Sequence, residues 1–199
     1  MSNKGELTRR RIIEEAASLF NLRGFAGCSM GDIMEATGLE KGGLYRHFAS
    51  KEELAIEAFK YALERSVKTR AVDLDPLDST IDRLLQMLNR FIAEPSPLPG
   101  GCPLMNTAID SDDGNPALRA LARRGILAWK QRLSNLVEEG ISSGEISGEV
   151  RPQRIANAIV STLEGSLMIS RLEGTRSAMI DAQETLSDLL RGLRAHQPQ

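Results

Sequence analysis

Apolar residues recur along this chain at spacings of three and four, and almost nowhere at two, so the pattern predicts helices throughout. Ile12, Ile13, Ala16, Leu19 and Phe20 make one stripe over about residues 7–23, which Gly24 stops. Within residues 29–48, Ile33, Ala36, Leu39 and Leu44 are spaced to bury one side of two short helices. Gly38 sits at the turn between them, where a positive φ is often needed. A long helix follows over about 50–70, with Leu54, Ala55, Ala58, Phe59, Ala62 and Leu63 facing inward. The stretch AVDLDPLDS, residues 71–79, punctuates the chain. Further helices are predicted over about 79–94, 102–111, 116–140, 152–172 and 177–194, and the tail HQPQ is expected to fray. PSPLPGGCP cannot be regular helix, and GISSGEISGEV reads as a loop. The expected fold class is all-α, with about nine helices.

The ends of these segments carry their own signals. Ser29 with Asp32, and Ser50 with Glu53, read as capping boxes. Ser29's hydroxyl either closes that box or, with the N–H groups of the first turn, faces a phosphate. Pro152 fits the first turn of its helix.

Polar positions are most informative in the second short helix, about residues 40–48. It is apolar inside and carries Glu40, Lys41, Tyr45, Arg46 and His47 outside, a combination that suits insertion into the DNA major groove. Arg46 is the candidate base reader, because a guanidinium engages guanine O6 and N7 together. Lys41, Tyr45, His47 and Lys51 are candidate phosphate contacts, which fix register without reading sequence. Thr8 and Arg9, at the start of the first helix, are candidates of the same kind. Gly42 and Gly43 cost a helix about 1 kcal/mol each relative to Ala, and close approach of the backbone to DNA would compensate.

Composition adds little. Net charge is −2; residues 1–70 carry 12 Lys and Arg against 10 Asp and Glu, and the remainder 13 against 17, a modest basic-to-acidic asymmetry. Cys28 and Cys102 show no metal spacing, and no apolar run reaches membrane-helix length. Without the pattern of a signal peptide, a cytoplasmic protein with reduced thiols is expected. No catalytic residue, metal site or cofactor is expected: both histidines lie outside any plausible thiol-enzyme arrangement, and no phosphate loop or nucleophile elbow occurs.

GFAGCSMGDIMEATGLEKGGLYRHFASKEEL, residues 24–54, resembles the DNA-binding head of the tetracycline-repressor (TetR) family. The resemblance rests on Gly24-Phe25, Ile33, Gly38, Lys41-Gly42, Leu44-Tyr45, His47-Phe48 and Ser50-Lys51-Glu52. Cys28 stands where such heads usually carry Thr, and Glu35 where Ala is frequent. The resemblance implies a three-helix head, residues 1–50, and a ligand-binding and dimerising body, residues 51–199. It implies a homodimer through the last two helices, whose apolar residues occupy more than one side and where Ala158, Gly165 and Ser166 are small enough to let helices approach. It also implies binding to double-stranded DNA at a palindromic operator and repression relieved by a small-molecule effector. Helix faces suggest an effector pocket of Phe91, Cys102, Met105, Asn106, Trp129, Glu164 and Met168. The alternatives are a thiol-based sensor or a cysteine-dependent enzyme, each built on Cys102.

Overall fold

The structure, a computed structural model, describes residues 3–71 and 77–195; most of the 71–79 punctuation and the HQPQ tail lie outside them. Among the described residues there are nine helices: α1 Asn3–Arg23, α2 Met30–Thr37, α3 Lys41–Tyr45, α4 Lys51–Ala71, α5 Thr80–Ala93, α6 Pro103–Asp110, α7 Pro116–Ser142, α8 Pro152–Glu173 and α9 Ser177–Arg191. They form two compact units, Met1–Lys68 with Ser96–Gly125, and Thr69–Pro95 with Ile126–Gln199. The chain thus crosses between units inside α4, between Pro95 and Ser96, and inside α7. Packing therefore divides the chain differently from the expected head boundary at residue 50.

In the first unit, Ile12, Ala16 and Ala17 of α1, Ile33 of α2, Leu44 and Phe48, and Leu54, Ala58 and Ala62 of α4 share one core. Leu98, from the proline-rich loop, closes it. Burial of each large side chain stabilises by about 1.5–3 kcal/mol. Such packing is indispensable here, because helices as short as α2 and α3 do not persist alone in water. Gly125 of α7 packs closely in this unit: a Cβ there would lie 2.7 Å from Leu104 Cδ1 and 3.3 Å from Leu63 Cδ2, so a larger residue would make those side chains shift.

The second unit is built on Ile81, Leu84, Leu88 and Phe91 of α5, Leu133, Leu136 and Val137 of α7, Ile159 and Leu163 of α8, and Leu186 and Leu190 of α9. Its connection after α7, read from the sequence as a loop, is more ordered than that. Ile146 is 1% exposed and pairs with Arg194 in an isolated antiparallel bridge. Ser147 N–H reaches the Leu193 carbonyl at 3.1 Å, and Ala195 N–H the Glu145 carbonyl at 2.9 Å. The last helix consequently stops at Arg191 rather than 194, and Leu193 turns into the core.

Glu145 in turn completes the start of α5. Ser79 caps that helix by accepting the Asp82 N–H at 3.1 Å. The Glu145 carboxylate accepts the Ser79 hydroxyl at 2.5 Å, the Thr80 N–H at 2.6 Å and the Ile81 N–H at 3.2 Å. A helix start leaves its first N–H groups without intrahelical partners, and a carboxylate there also meets the positive end of the helix dipole. Partial burial pushes the Glu145 carboxyl pKa up, but the hydrogen bonds from Ser79, Thr80 and Ile81 outweigh it and hold the group below its ordinary value.

A depressed carboxyl pKa means stabilisation that is present above the unfolded-state value and lost as pH falls through the folded-state value. Glu145→Gln is expected to cost about 1–2 kcal/mol at neutral pH. In urea denaturation followed by circular dichroism, the gap to wild type should narrow as pH drops through and below the ordinary carboxylate range. A gap constant with pH would exclude this role for the charge.

Candidate nucleic-acid interface

The turn between α2 and α3 is fixed by local bonds. Ser29 has extended backbone (φ −94°, ψ 164°) and closes a capping box with Asp32: its hydroxyl accepts the Asp32 N–H at 3.1 Å, and its own N–H donates to Asp32 Oδ2 at 2.7 Å. The hydroxyl and backbone N–H of Ser29 are the chief causes that hold the Asp32 carboxyl below its ordinary pKa, with Arg23 assisting from 2.8 Å. At the other end Gly38 takes φ 64°, ψ 24°. Its N–H bonds the Glu35 carbonyl and the Leu39 N–H bonds that of Met34, a left-handed helix stop. Arg11 of α1 donates to the Thr37 carbonyl at 2.8 Å and ties this stop to the first helix.

Two details of the inner face differ from expectation. Ala36 is exposed, and Thr37 takes the buried place at 1% exposure, its hydroxyl donating to the Ile33 carbonyl at 2.7 Å. That bond satisfies the polar atom the core would otherwise reject. The helix expected over 40–48 is also shorter, Lys41–Tyr45. The His47 and Phe48 N–H groups both turn back to the Leu44 carbonyl, at 3.0 and 3.2 Å. This tight turn drives Phe48 inward to 1% exposure, beside the fully buried Leu44.

Lys41, Tyr45 and Arg46 are exposed on the outer side, and His47 is half-buried. The Lys41 ammonium lies 6.0 Å from the Tyr45 ring centre. Gly42 faces open space, with no atom within 4 Å of where a Cβ would be, while Gly43 contacts Leu39. The flanking candidates are engaged within the head. Thr8 donates to the Lys4 carbonyl at 2.9 Å. Arg9 lies 4.8 Å above the Phe48 ring and 3.3 Å from Glu57, with its side chain still 40% exposed. The Lys51 ammonium sits 4.3 Å from the Phe25 ring centre. Cys28 is fully buried, and burial first, then Asp32, pushes its thiol pKa up, against Lys51 and Arg23.

The pocket candidates fall in both units. In the first, buried Cys102 precedes α6, while Met105 and Asn106 lie on it. The Asn106 amide is occupied: it donates to the Asn21 carbonyl, to Asn21 Oδ1 and to the Gly100 carbonyl at 2.8–3.1 Å. In the second, Phe91 and Trp129 stack at 5.6 Å and 20°. Glu164 is 9% exposed, and Met168 is 43% exposed. The structure adds Arg70, whose guanidinium lies 4.1 Å above Phe91. No periodic signal marks Arg70 at the end of α4. Among the described residues no group of His, Cys, Asp and Glu side chains could hold a metal ion, and no helix is long and apolar enough to cross a membrane.

A helix-turn-helix with a buried inner face and a cationic, hydrogen-bonding outer face defines a DNA-binding protein. The family description "Bacterial regulatory proteins, tetR family" matches residues 12–58, and "Tetracyclin repressor-like, C-terminal domain" matches residues 80–186. The chain belongs to the TetR family of transcriptional regulators. A TetR transcriptional regulator from Chloroflexus aurantiacus has the same fold at TM-score 0.91 and 44% identity, over 96% of this chain and 98% of that one. A family member from Cytophaga hutchinsonii follows at TM-score 0.89 and 33% identity, over 99% and 100%. The HTH-type transcriptional repressor DhaR of Mycobacterium sp. is 23% identical over 175 residues, 86% of each chain.

Gly38 is a direct test of the turn. Space around it is open, so any penalty comes from the left-handed backbone alone. Gly38→Ala should cost about 1–2 kcal/mol and Gly38→Asn distinctly less, read as thermal melting midpoints. Equal midpoints for all three proteins would refute this account of the turn.

Proposed function

We propose that this regulator is a repressor that binds a palindromic operator as a homodimer and is released by a small-molecule effector. The observation that carries the reading is the exposed side of residues 41–46, where Lys41, Tyr45 and Arg46 stand outside the buried Leu44 and Phe48. Arg46 reads a base, while Lys41, Tyr45, His47 and Lys51 hold phosphates. Thr8, Arg9 and the Ser29 end of α2 flank the same backbone, and Gly42 and Gly43 admit it closely. Residues 1–50 supply recognition and residues 51–199 supply effector binding and dimerisation. The protein acts in the cytoplasm, without a catalytic activity of its own. The repressor relative DhaR supports the sign of regulation. No observation favours a thiol sensor or an enzyme built on Cys102.

The dimer forms through α8 and α9. Met168, Ile169 and Leu172 of α8 are 43%, 41% and 81% exposed, and Ile180 and Leu189 of α9 are 49% and 37% exposed. Gly165, on the same helix, has open space around it, so a partner helix can come close there. Two heads match a palindrome because half-sites recur at about one helical turn. In the second unit, the Arg70–Phe91–Trp129 stack suits an effector with a planar apolar body, and Glu164, buried in the same unit, is the candidate partner for a polar end. The effector releases DNA by binding more tightly to a conformation whose heads no longer match the groove spacing. Affinity alone, equal in both conformations, would shift nothing.

Fluorescence anisotropy with duplex DNA from upstream of the protein's own gene tests the reading. Binding that weakens steeply with salt is expected, and its absence would exclude autoregulation. Arg46→Ala should cost about 1–3 kcal/mol and relax preference at one base position, whereas Lys51→Ala should weaken all sequences alike. Unchanged affinity and preference in Arg46→Ala would remove it as the reader. For the dimer, Leu172→Glu should yield monomers by sedimentation velocity and abolish tight operator binding. A Leu172→Glu protein that stays dimeric would place the interface elsewhere.

A further inference from the structure

Within the first unit, α6 is bonded to the turn that follows α1, although about 80 residues of sequence separate them. The amide of Asn21, a buried residue in the last turn of α1, donates to the Pro99 carbonyl at 2.7 Å and to the Gly101 carbonyl at 3.2 Å. Asn106 reaches back to Asn21 as described above. A Cβ at Gly100, which has φ 99°, would lie 2.5 Å from the Asn21 carbonyl oxygen. One turn further along α6, Asp110 Oδ2 accepts the Phe25 N–H at 2.7 Å. Asp110 also fills the place of a side chain at Gly24: a Cβ there would be 2.7 Å from Oδ1, and Gly24 has φ 75°. Phe25 is therefore held from behind by Asp110. Its ring stacks on Phe20 at 6.0 Å and carries the Lys51 ammonium on the other contact, at 4.3 Å.

We propose that Asp110 is a positioning residue for DNA affinity: by fixing Phe25, it fixes where the Lys51 ammonium is offered to a phosphate. The Phe25 N–H has no intrahelical partner beyond the end of α1, so the carboxylate is what orients this peptide. The ring it orients is an electrostatic seat for a cation, and a lysine seated on a ring loses less freedom when a phosphate arrives. Displacement of α6 would thus reach Lys51 through three residues of one compact unit. The inference rests on the DNA-binding reading of Lys51 given above.

The test is the salt dependence of binding to a labelled duplex selected by the wild-type protein from a random-sequence library. The slope of log affinity against log salt counts phosphates neutralised, at about 0.9 per contact. Asp110→Ala is expected to weaken binding on the order of three- to tenfold and to lower that slope by about one. Asp110→Asn, which keeps an acceptor for the Phe25 N–H, should retain both affinity and slope. Phe25→Leu, which keeps the N–H and the apolar bulk but removes the ring, should lower the slope as Asp110→Ala does, and the double variant should add nothing further. An unchanged slope in Asp110→Ala, or in Phe25→Leu where Asp110→Ala does not fold, overturns the proposal. An Asp110→Asn protein as impaired as Asp110→Ala overturns it as well, because charge rather than positioning would then be at work. Selection that enriches no duplex at all would instead overturn the DNA-binding reading, and this inference with it.

Discussion

The recognition surface hangs on two buried side chains. Lys41–Tyr45 is a helix of five residues, with two glycines and no side-chain cap at its start. Nothing intrinsic to it outweighs the cost of nucleating a helix. Leu44 and Phe48 hold it in place: both are essentially inaccessible to water, and both lie against α1 and α4 through the shared core. Arg9 then covers the outer side of the Phe48 ring and is itself held by Glu57 of α4. The polar groups offered outward are therefore only as well placed as this small apolar core is complete.

The same economy explains why so many cations of the head face inward partners. Arg9, Arg11, Arg23 and Lys51 each meet a ring, a carbonyl or a carboxylate of the head. Exposed pairs of this kind contribute little to stability singly, on the order of 0–1 kcal/mol. For Arg9 and Lys51, the two of these proposed to touch DNA, the same contacts leave less rotamer freedom to lose on binding. Lys41 and Arg46, the cations proposed for the groove, are exposed, and Lys41 lies 6.0 Å from the Tyr45 ring centre.

Much of the fold was legible in the sequence because helical spacing is a local property. The starts of α2 and α4 follow from Ser29 with Asp32 and Ser50 with Glu53, that of α8 from Pro152 in its first turn, and the stop at Gly38 from chemistry within four residues. Misplacements arose where tertiary packing overrode that pattern. Thr37 displaced Ala36 from the core because its hydroxyl finds the Ile33 carbonyl, and α3 ended early because Phe48 had to turn inward. Glu145 and Asp110 left no trace in the sequence pattern, since their partners lie 65 and 85 residues away. The outer polar set of residues 40–47, the candidate recognition face, was readable for the same reason that the helices were: its residues are neighbours along the chain. The proposed effector seat draws instead on residues from α4, α5, α7 and α8, which no local pattern brings together; Arg70, over the Phe91 ring, comes from the last turn of its helix.

The grouping of α6 with the head bears on how such regulators can be recombined. Exchanging residues 1–50 between two relatives looks natural from the expected boundary of the head. Such a cut would sever Arg9 from Glu57, Asn21 from Asn106 and Phe25 from Asp110. A transplanted head would need matching residues at 57, 106 and 110 in its new host, so the heritable recognition module of this protein is discontinuous: two stretches of sequence that must change together.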